Sequence, residues 1–392
     1  MTAAITKRST PQHDALLTRL SQARKITDSL WDLLRPGTLL QRPIPDRHRL
    51  IFYLGHLEAF DWNLIARRTL GLNSFHPTFD QLFEFGIDPE PGTHPQDSPQ
   101  DWPAEAGIRR YHRRTRETLD RVIENAPPQI VHAAVEHRLM HAETLAYLFH
   151  HLPYDAKVLP ARQTPSSRHA ILNPLIDIPG GQALLGQAGG GVFGWDNEFS
   201  RHTVEVPAFQ CRQYKITNGE YLQFVNSGAP APHFWLQAHG EWFYRGMFQL
   251  LPLPLDSPVY VTQKQAATYA AWAGHTLLTE AQFHRVADTI PSAPGNYNFA
   301  HWDPVAVNQP GTSPLIGNGW ELTRTPFAPF PGFSPFPFYP GYSADFFDGQ
   351  HFVLKGASPR TAACFLRPSF RNWFRADYPY AYATFRTVQE AI

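Results

Sequence analysis

The sequence predicts an N-terminal helical bundle followed by an α+β domain, and three observations predict it. From Asp14 to about His151 apolar residues recur at helical spacing with few glycines, interrupted by proline-rich joints. After His151 glycine and proline clusters cut the chain into short pieces with alternating apolar and polar stretches. At 392 residues the chain is long for one core and suits two.

The helical half divides into four runs, near Asp14–Leu34, Asp46–Leu70, Pro103–Glu124 and Pro128–His151. Short joints make neighbouring helices antiparallel. The connection Gly71–Trp102 is too long for a plain bundle turn, and loops of that length are commonly functional, so it is expected to cover something. Residues 1–155 form the bundle in this reading, 156–174 the linker, and 175–392 the second domain; the proline-rich stretch Pro153–Pro174 marks the junction. Within the second domain His202–Phe209 alternates as a strand does, and Lys264–Gly274 is the one clear helical run. The tract Pro326–Tyr342 (PFAPFPGFSPFPFYPGY) has the composition of a polyproline ligand, but its phenylalanines would sit badly in solvent. It is expected to line a pocket or pack on the core.

Composition narrows the function. Apolar residues make up 43% of the chain and charged residues 17%, which gives material for buried cores and no disorder signature. Lys+Arg and Asp+Glu both number 34, so the broad positive field that nucleic acid or an anionic membrane needs is missing, and a small-molecule partner is favoured. Met1–Thr10 lacks an apolar export core, and no apolar run is long enough to span a membrane; cytoplasmic residence is the expectation. Cys211 and Cys364, far apart, give neither a disulfide framework nor a paired-cysteine metal knuckle. Any metal must be held by histidine or carboxylate.

Three of the 19 histidines stand out. His137 and His141 are four residues apart on a predicted helix, which puts both imidazoles on one face. The pair alone is weak, because chance produces about one such spacing in a chain this rich in histidine. Glu143, two residues on, should point away from that face and serve the site indirectly or only structurally. His56 lies in the apolar run Leu50–Trp62 (LIFYLGHLEAFDW), where a lone histidine is more often a satisfied core residue than a ligand. Bundles commonly build metal sites from facing helices, however, and three imidazoles suit iron, zinc or copper while leaving positions open.

Set beside the ordered motifs of the C-terminal half, these residues resemble the ergothioneine sulfoxide synthase family, and more narrowly its selenoneine synthase relatives. The N-terminal half resembles a DinB-like four-helix bundle with a distant His followed by HxxxHxE, here His56, His137, His141 and Glu143. The C-terminal half is similar to the C-type-lectin-like domain of formylglycine-generating enzymes. It carries Phe193-Gly-Trp-Asp-Asn-Glu198, Ile216-Thr-Asn218 with Tyr221-Leu-Gln-Phe224, Leu278-Thr-Glu-Ala281, Gly317-Asn-Gly-Trp-Glu321 and Ser369-Phe-Arg-Asn-Trp373. The resemblance implies iron(II) held by the three histidines, oxygen as co-substrate, and oxidative bond formation at the imidazole C2 of hercynine (trimethylhistidine). It places Asn372 and Trp373 at positions that contact hercynine, and an aromatic face suits a quaternary ammonium.

Two departures from the family bear on the donor. Phe374 stands where ergothioneine synthases carry an aspartate for the amino group of γ-glutamylcysteine, and a phenyl ring accepts no hydrogen bond from an ammonium. Residues Thr69–Ile108 contain no Lys or Arg but seven acids, Asp80, Glu84, Asp88, Glu90, Asp97, Asp101 and Glu105, where the family places arginines for the donor's carboxylates. Met140 replaces the family's common glutamine and alters part of the hercynine contact. The sequence therefore points to selenoneine synthesis from an uncharged selenosugar. The alternatives are a sulfur enzyme using γ-glutamylcysteine or cysteine, a zinc thiol-transferase, and a non-catalytic binding protein; a formylglycine-type cysteine oxidase is disfavoured because Cys211 and Cys364 are not closely paired. The family's tyrosine acid has no aligned counterpart; Tyr339 and Tyr342 are the candidates.

Overall fold

The computed structural model describes residues 11–84, 94–159, 169–290, 293–310 and 313–390. It separates into two compact units, Met1–Leu159 and Pro160–Ile392.

The first unit is helical: α1 (Pro11–Trp31), α2 (Leu50–Asp61), α3 (Pro77–Leu82), α4 (Glu105–Val122) and α5 (Pro128–His150). The four long helices are those expected. Every residue of α2 is buried, as suits a helix that is apolar all round. α4 instead buries Ile108, Tyr111, His112, Thr115 and Leu119 along one stripe and exposes Arg109, Arg110, Arg113, Arg114 and Arg121 on the other face. α2 starts later than Asp46 because Arg49 is extended, and it ends in a π-helical stretch, Trp62–Thr69, whose wider turns periodicity does not reveal.

The long connection contains the short helix α3, where the sequence suggests only loop. Phe75 packs on Trp62 at 4.8 Å between ring centroids and on Tyr111 at 5.4 Å, while Trp102 lies 6.2 Å from both Phe52 and Phe83. The connection thus covers α2 and α4; residues 85–93, with Asp88 and Glu90, lie outside the described residues. At the other end, Lys157 and Val158, read as linker, pair with the end of α1: the Val158 amide donates to the Leu33 carbonyl at 2.8 Å. Residues 160–168 of the expected linker are outside the described residues.

The second unit is α+β. In chain order it contains β1 (Leu175–Ile178), β2 (Gly181–Leu185), β3 (His202–Val206), β4 (Phe209–Arg212), α6 (Asn218–Asn226), β5 (Trp235–Ala238), β6 (Glu241–Arg245), β7 (Leu250–Pro252), α7 (Gln263–Trp272), β8 (Thr276–Leu277) and α8 (Glu280–Thr289). These are followed by β9 (Gly319–Pro326), β10 (His351–Ala357), β11 (Asn372–Arg375), β12 (Ala383–Thr384) and β13 (Thr387–Glu390). One sheet has the order β1-β4-β13-β8 and another β11-β10-β9-β12, with β12 parallel to β9. The core includes Ile178, Phe209, Leu278, Phe283, Leu315 and Val388.

The helical run at Lys264–Gly274 is α7, but α6 and α8 are not evident from periodicity. All three open with a threonine capping box, Thr217 with Glu220, Thr262 with Gln265 and Thr279 with Gln282. The motif glutamates are scaffold as well. Glu198 takes Arg367 at 2.7 Å, Glu280 takes Arg371 at 3.0 Å and Glu321 takes Arg386 at 2.8 Å, all three carboxylates buried. The Pro326–Tyr342 tract packs on the core through Phe327, Phe330, Tyr339 and Tyr342.

Candidate metal centre

The three histidines come together on α2 and α5. His137 and His141, one turn apart, have ring centroids 4.5 Å apart, and His56 places its ring 5.2 Å from that of His137 and 4.8 Å from that of His141. Their ligand atoms all lie within 4.8 Å of one another, and the Nε2 atoms of His56 and His141 are 3.2 Å apart. Two nitrogens bound to one ion at about 2.0–2.1 Å sit about 2.9–3.4 Å apart for bond angles between octahedral and tetrahedral, so this spacing fits shared coordination.

The surroundings set the tautomer and orientation. The Nδ1–H of His56 donates to the Phe83 carbonyl at 2.9 Å, which leaves the Nε2 lone pair for the cluster. Phe83 reaches that position because Gly55 has no side chain: a Cβ there would stand 2.5 Å from the Phe83 ring. Phe60 stacks on His137 at 3.4 Å and 9°, and Phe52 on His56 at 5.0 Å and 22°. Burial, followed by the neighbouring His141 and His56 and the Arg138 charge, holds His137 well below the usual imidazole range. Burial does the same to His141, followed by His56, Arg47 and Arg138. Neutral imidazole is the ligating form. No carboxylate among the described residues joins the cluster, Glu143 included. The donor set is three neutral nitrogens, which suits iron, zinc or copper with positions left open.

Among the described residues the acids of the connection are engaged by partners. Asp97 accepts from Arg42, from Arg49 at 2.8 Å and from the Trp102 indole at 2.8 Å. Asp80 is buried and accepts from Trp62 and Tyr111, Glu84 pairs with Arg68, Asp101 binds back to Ser98, and Glu105 pairs with Arg109. Their partners include arginines outside the 69–108 window, so these acids do not form a surface that repels an anionic donor. Phe83, Arg47 and Arg138 escape sequence reasoning because they are linked to the histidines only through space. Gly55 is detectable, since a glycine inside a helical run signals a packing reason.

The candidate substrate residues of the second unit do not all share one face. Strand alternation sends Trp373 and Phe374 to opposite sides of β11. Half-buried Trp373 stacks on Phe327 at 4.3 Å and 9° and meets Tyr342 edge-on at 5.3 Å; Phe374 stacks on Tyr378 at 5.1 Å. Asn372 Oδ1 accepts from the Trp373 amide at 2.9 Å. Tyr339 and Tyr342 are buried against Trp195, the latter stacked at 3.9 Å. Met140 precedes His141 on α5, where its carbonyl accepts from the Thr144 hydroxyl at 3.2 Å.

Comparison with known proteins agrees with this division. Residues 19–154 match the model of the DinB superfamily, and residues 161–297 match the Sulfatase-modifying factor enzyme 1-like domain. The chain is 27% identical to Ergothioneine biosynthesis protein 1 of Neurospora crassa over 92% of its own length and 56% of that protein. It is 27% identical to the protein of the same name from Schizosaccharomyces pombe over 91% of this chain and 54% of the relative, so it spans about half the length of these two. A Hercynine oxygenase of Mycolicibacterium thermoresistibile is 27% identical over 97% of this chain and 95% of the relative. Among the described residues no helix is long and apolar enough to cross a membrane.

Proposed function

We propose that this chain, a DinB-like bundle joined to a sulfatase-modifying-factor-like domain, is a non-haem iron(II)- and oxygen-dependent enzyme that bonds a chalcogen atom to the imidazole C2 of hercynine. The observation that carries the reaction class is the convergence of His56, His137 and His141, read together with the hercynine oxygenases among the relatives. An iron(II) held by these three imidazoles would supply open coordination positions and a one-electron couple for oxygen. The chain's own residues do the rest. The Phe83 carbonyl fixes the His56 tautomer, and Phe52 and Phe60 keep the adjoining space dry. Within the second unit, Trp373, backed by Phe327, is a ring suited to a trimethylammonium group, an attraction of about 0.5–2 kcal/mol.

For the donor we favour a neutral selenosugar, and Phe374 carries that preference without help from the loop acids. A phenyl ring stacked on Tyr378 offers nothing to the ammonium of a peptide thiol, whereas aromatic rings suit a sugar face. The competing reading is C–S bond formation from γ-glutamylcysteine or cysteine, favoured by the names of the fungal relatives. Iron-loaded protein incubated with hercynine, oxygen and either a 1-seleno-sugar or γ-glutamylcysteine separates the two by mass spectrometry. Product is expected from the selenosugar; product from the peptide alone assigns the sulfur reaction. Zinc in anaerobically purified protein, with no oxygen uptake on adding hercynine, would sink the oxygenase reading. His141→Ala should lose iron and activity together.

A further inference from the structure

We infer that Arg138 is a positioning residue of the metal centre, clamping the ligand-bearing turns of α2 and α5 to each other from behind the histidines. This inference rests on the three-histidine reading above. Arg138 follows His137 directly and its side chain is 1% exposed. Its Nη2 donates to the Leu57 carbonyl at 2.9 Å and to Asp61 Oδ2 at 2.6 Å, and its Nη1 donates to Glu58 Oε1 at 3.0 Å. Leu57 follows His56 directly. One guanidinium therefore joins the residue after His56 to the residue after His137, and it does so through a fork whose donor directions are fixed.

The clamp is itself held. Glu58 Oε1 also accepts from Arg116 Nε at 2.9 Å and Nη2 at 2.6 Å, and the Arg116 fork takes Asp28 at 2.7 and 2.8 Å. Asp28 lies on α1 and Arg116 on α4, so all four long helices meet in one charged network. Stability alone does not explain such a network, because apolar residues of similar volume commonly hold a core as well as a buried ion cluster does. Directed bonds give what apolar packing lacks, a fixed rotation of each helix about its own axis. His56 needs that rotation to keep its Nε2 3.2 Å from that of His141.

The test uses cobalt(II) as a spectroscopic probe on the full-length, metal-free chain, comparing wild type with Arg138→Met, Arg138→Lys, Asp61→Asn and a control, Leu20→Ala, that destabilises the bundle away from the network. Arg138→Met is expected to weaken cobalt binding about tenfold or more and to shift the visible ligand-field bands, with Arg138→Lys recovering part of both. Asp61→Asn, which keeps the shape, should move the same way and serves if Arg138→Met does not fold. Leu20→Ala should lower the melting temperature and leave the cobalt affinity and spectrum unchanged. Wild-type affinity and spectrum in folded Arg138→Met or Asp61→Asn overturn the inference, as does a Leu20→Ala effect of equal size. A wild-type chain that takes up no cobalt overturns the metal reading itself, a distinct outcome.

Discussion

His56 is a ligand candidate because of what holds it, and that lies elsewhere in the chain. Its Nδ1–H is taken by Phe83, 27 positions away, and Phe83 fits only over the bare Cα of Gly55. Gly55→Ala therefore pushes the Phe83 ring off its seat and loosens the bond that sets the His56 tautomer. Overpacking of this kind costs about 1–3 kcal/mol. The expected outcome is a lower urea midpoint together with weaker iron binding, read by titration of the metal-free protein; an unchanged affinity would separate Phe83 from the site. At this scale the sequence is legible where spacing is local: the four-residue step from His137 to His141 puts both rings on one face, as observed. It is not legible where the partner is distant, which is why Phe83, Arg47 and Arg138 emerge only from the fold.

The four long helices are readable because each buries a broad apolar stripe, or in α2 its whole surface, over several turns. Of the shorter helices α7 is legible and α6 and α8 are not, since nine or ten residues give few periods to read. α6 and α8 nonetheless announce themselves through Thr-x-x-Glu and Thr-x-x-Gln, in stretches that also carry the family resemblance. Their threonines are thus explained by helix starts rather than chemistry. Thr279 accepts from the Gln282 amide at 3.0 Å while Gln282 reaches back to the Thr279 amide at 2.8 Å, and directly behind this cap Glu280 receives Arg371. Thr279→Ala should cost about 1 kcal/mol of stability, and Thr279→Ser should restore most of it; thermal unfolding of both variants checks this. Equal melting temperatures for wild type and Thr279→Ala would mean that the cap is replaced by water.

Summed over the molecule, charge is balanced at 34 against 34, and this balance hides how the charges are placed. The acidic window 69–108 reads as repulsive because its partners Arg42, Arg49 and Arg68 all lie outside it in sequence; pairing in space, not composition along the chain, sets the field. Buried imidazoles carry the clearest consequence of that placement. Burial holds His112 below its ordinary value, with its Nε2 against the Leu54 carbonyl, and drives His284 down to about 3 beside Lys355. His284 stays neutral in the folded chain through this range and His112 is disfavoured from taking a proton there, while in the unfolded chain both take up protons near pH 6.5. The unfolded state then binds more protons, so stability is full above that pH and falls as the pH drops, by up to about 1.4 kcal/mol per pH unit for each such group. For His284 this loss continues until about pH 3. Glu58 and Glu280, held low by arginines despite burial, add to the loss only once the pH falls below the ordinary glutamate range, and Asp61, raised by burial, works the other way. The metal-free protein should therefore lose urea resistance between pH 7 and pH 5, before its carboxylates titrate, and His284→Gln should flatten that slope. A wild-type midpoint that does not change over this range would mean that these imidazoles are protonated inside the fold, with Glu58 and Glu280 as the anions that compensate them.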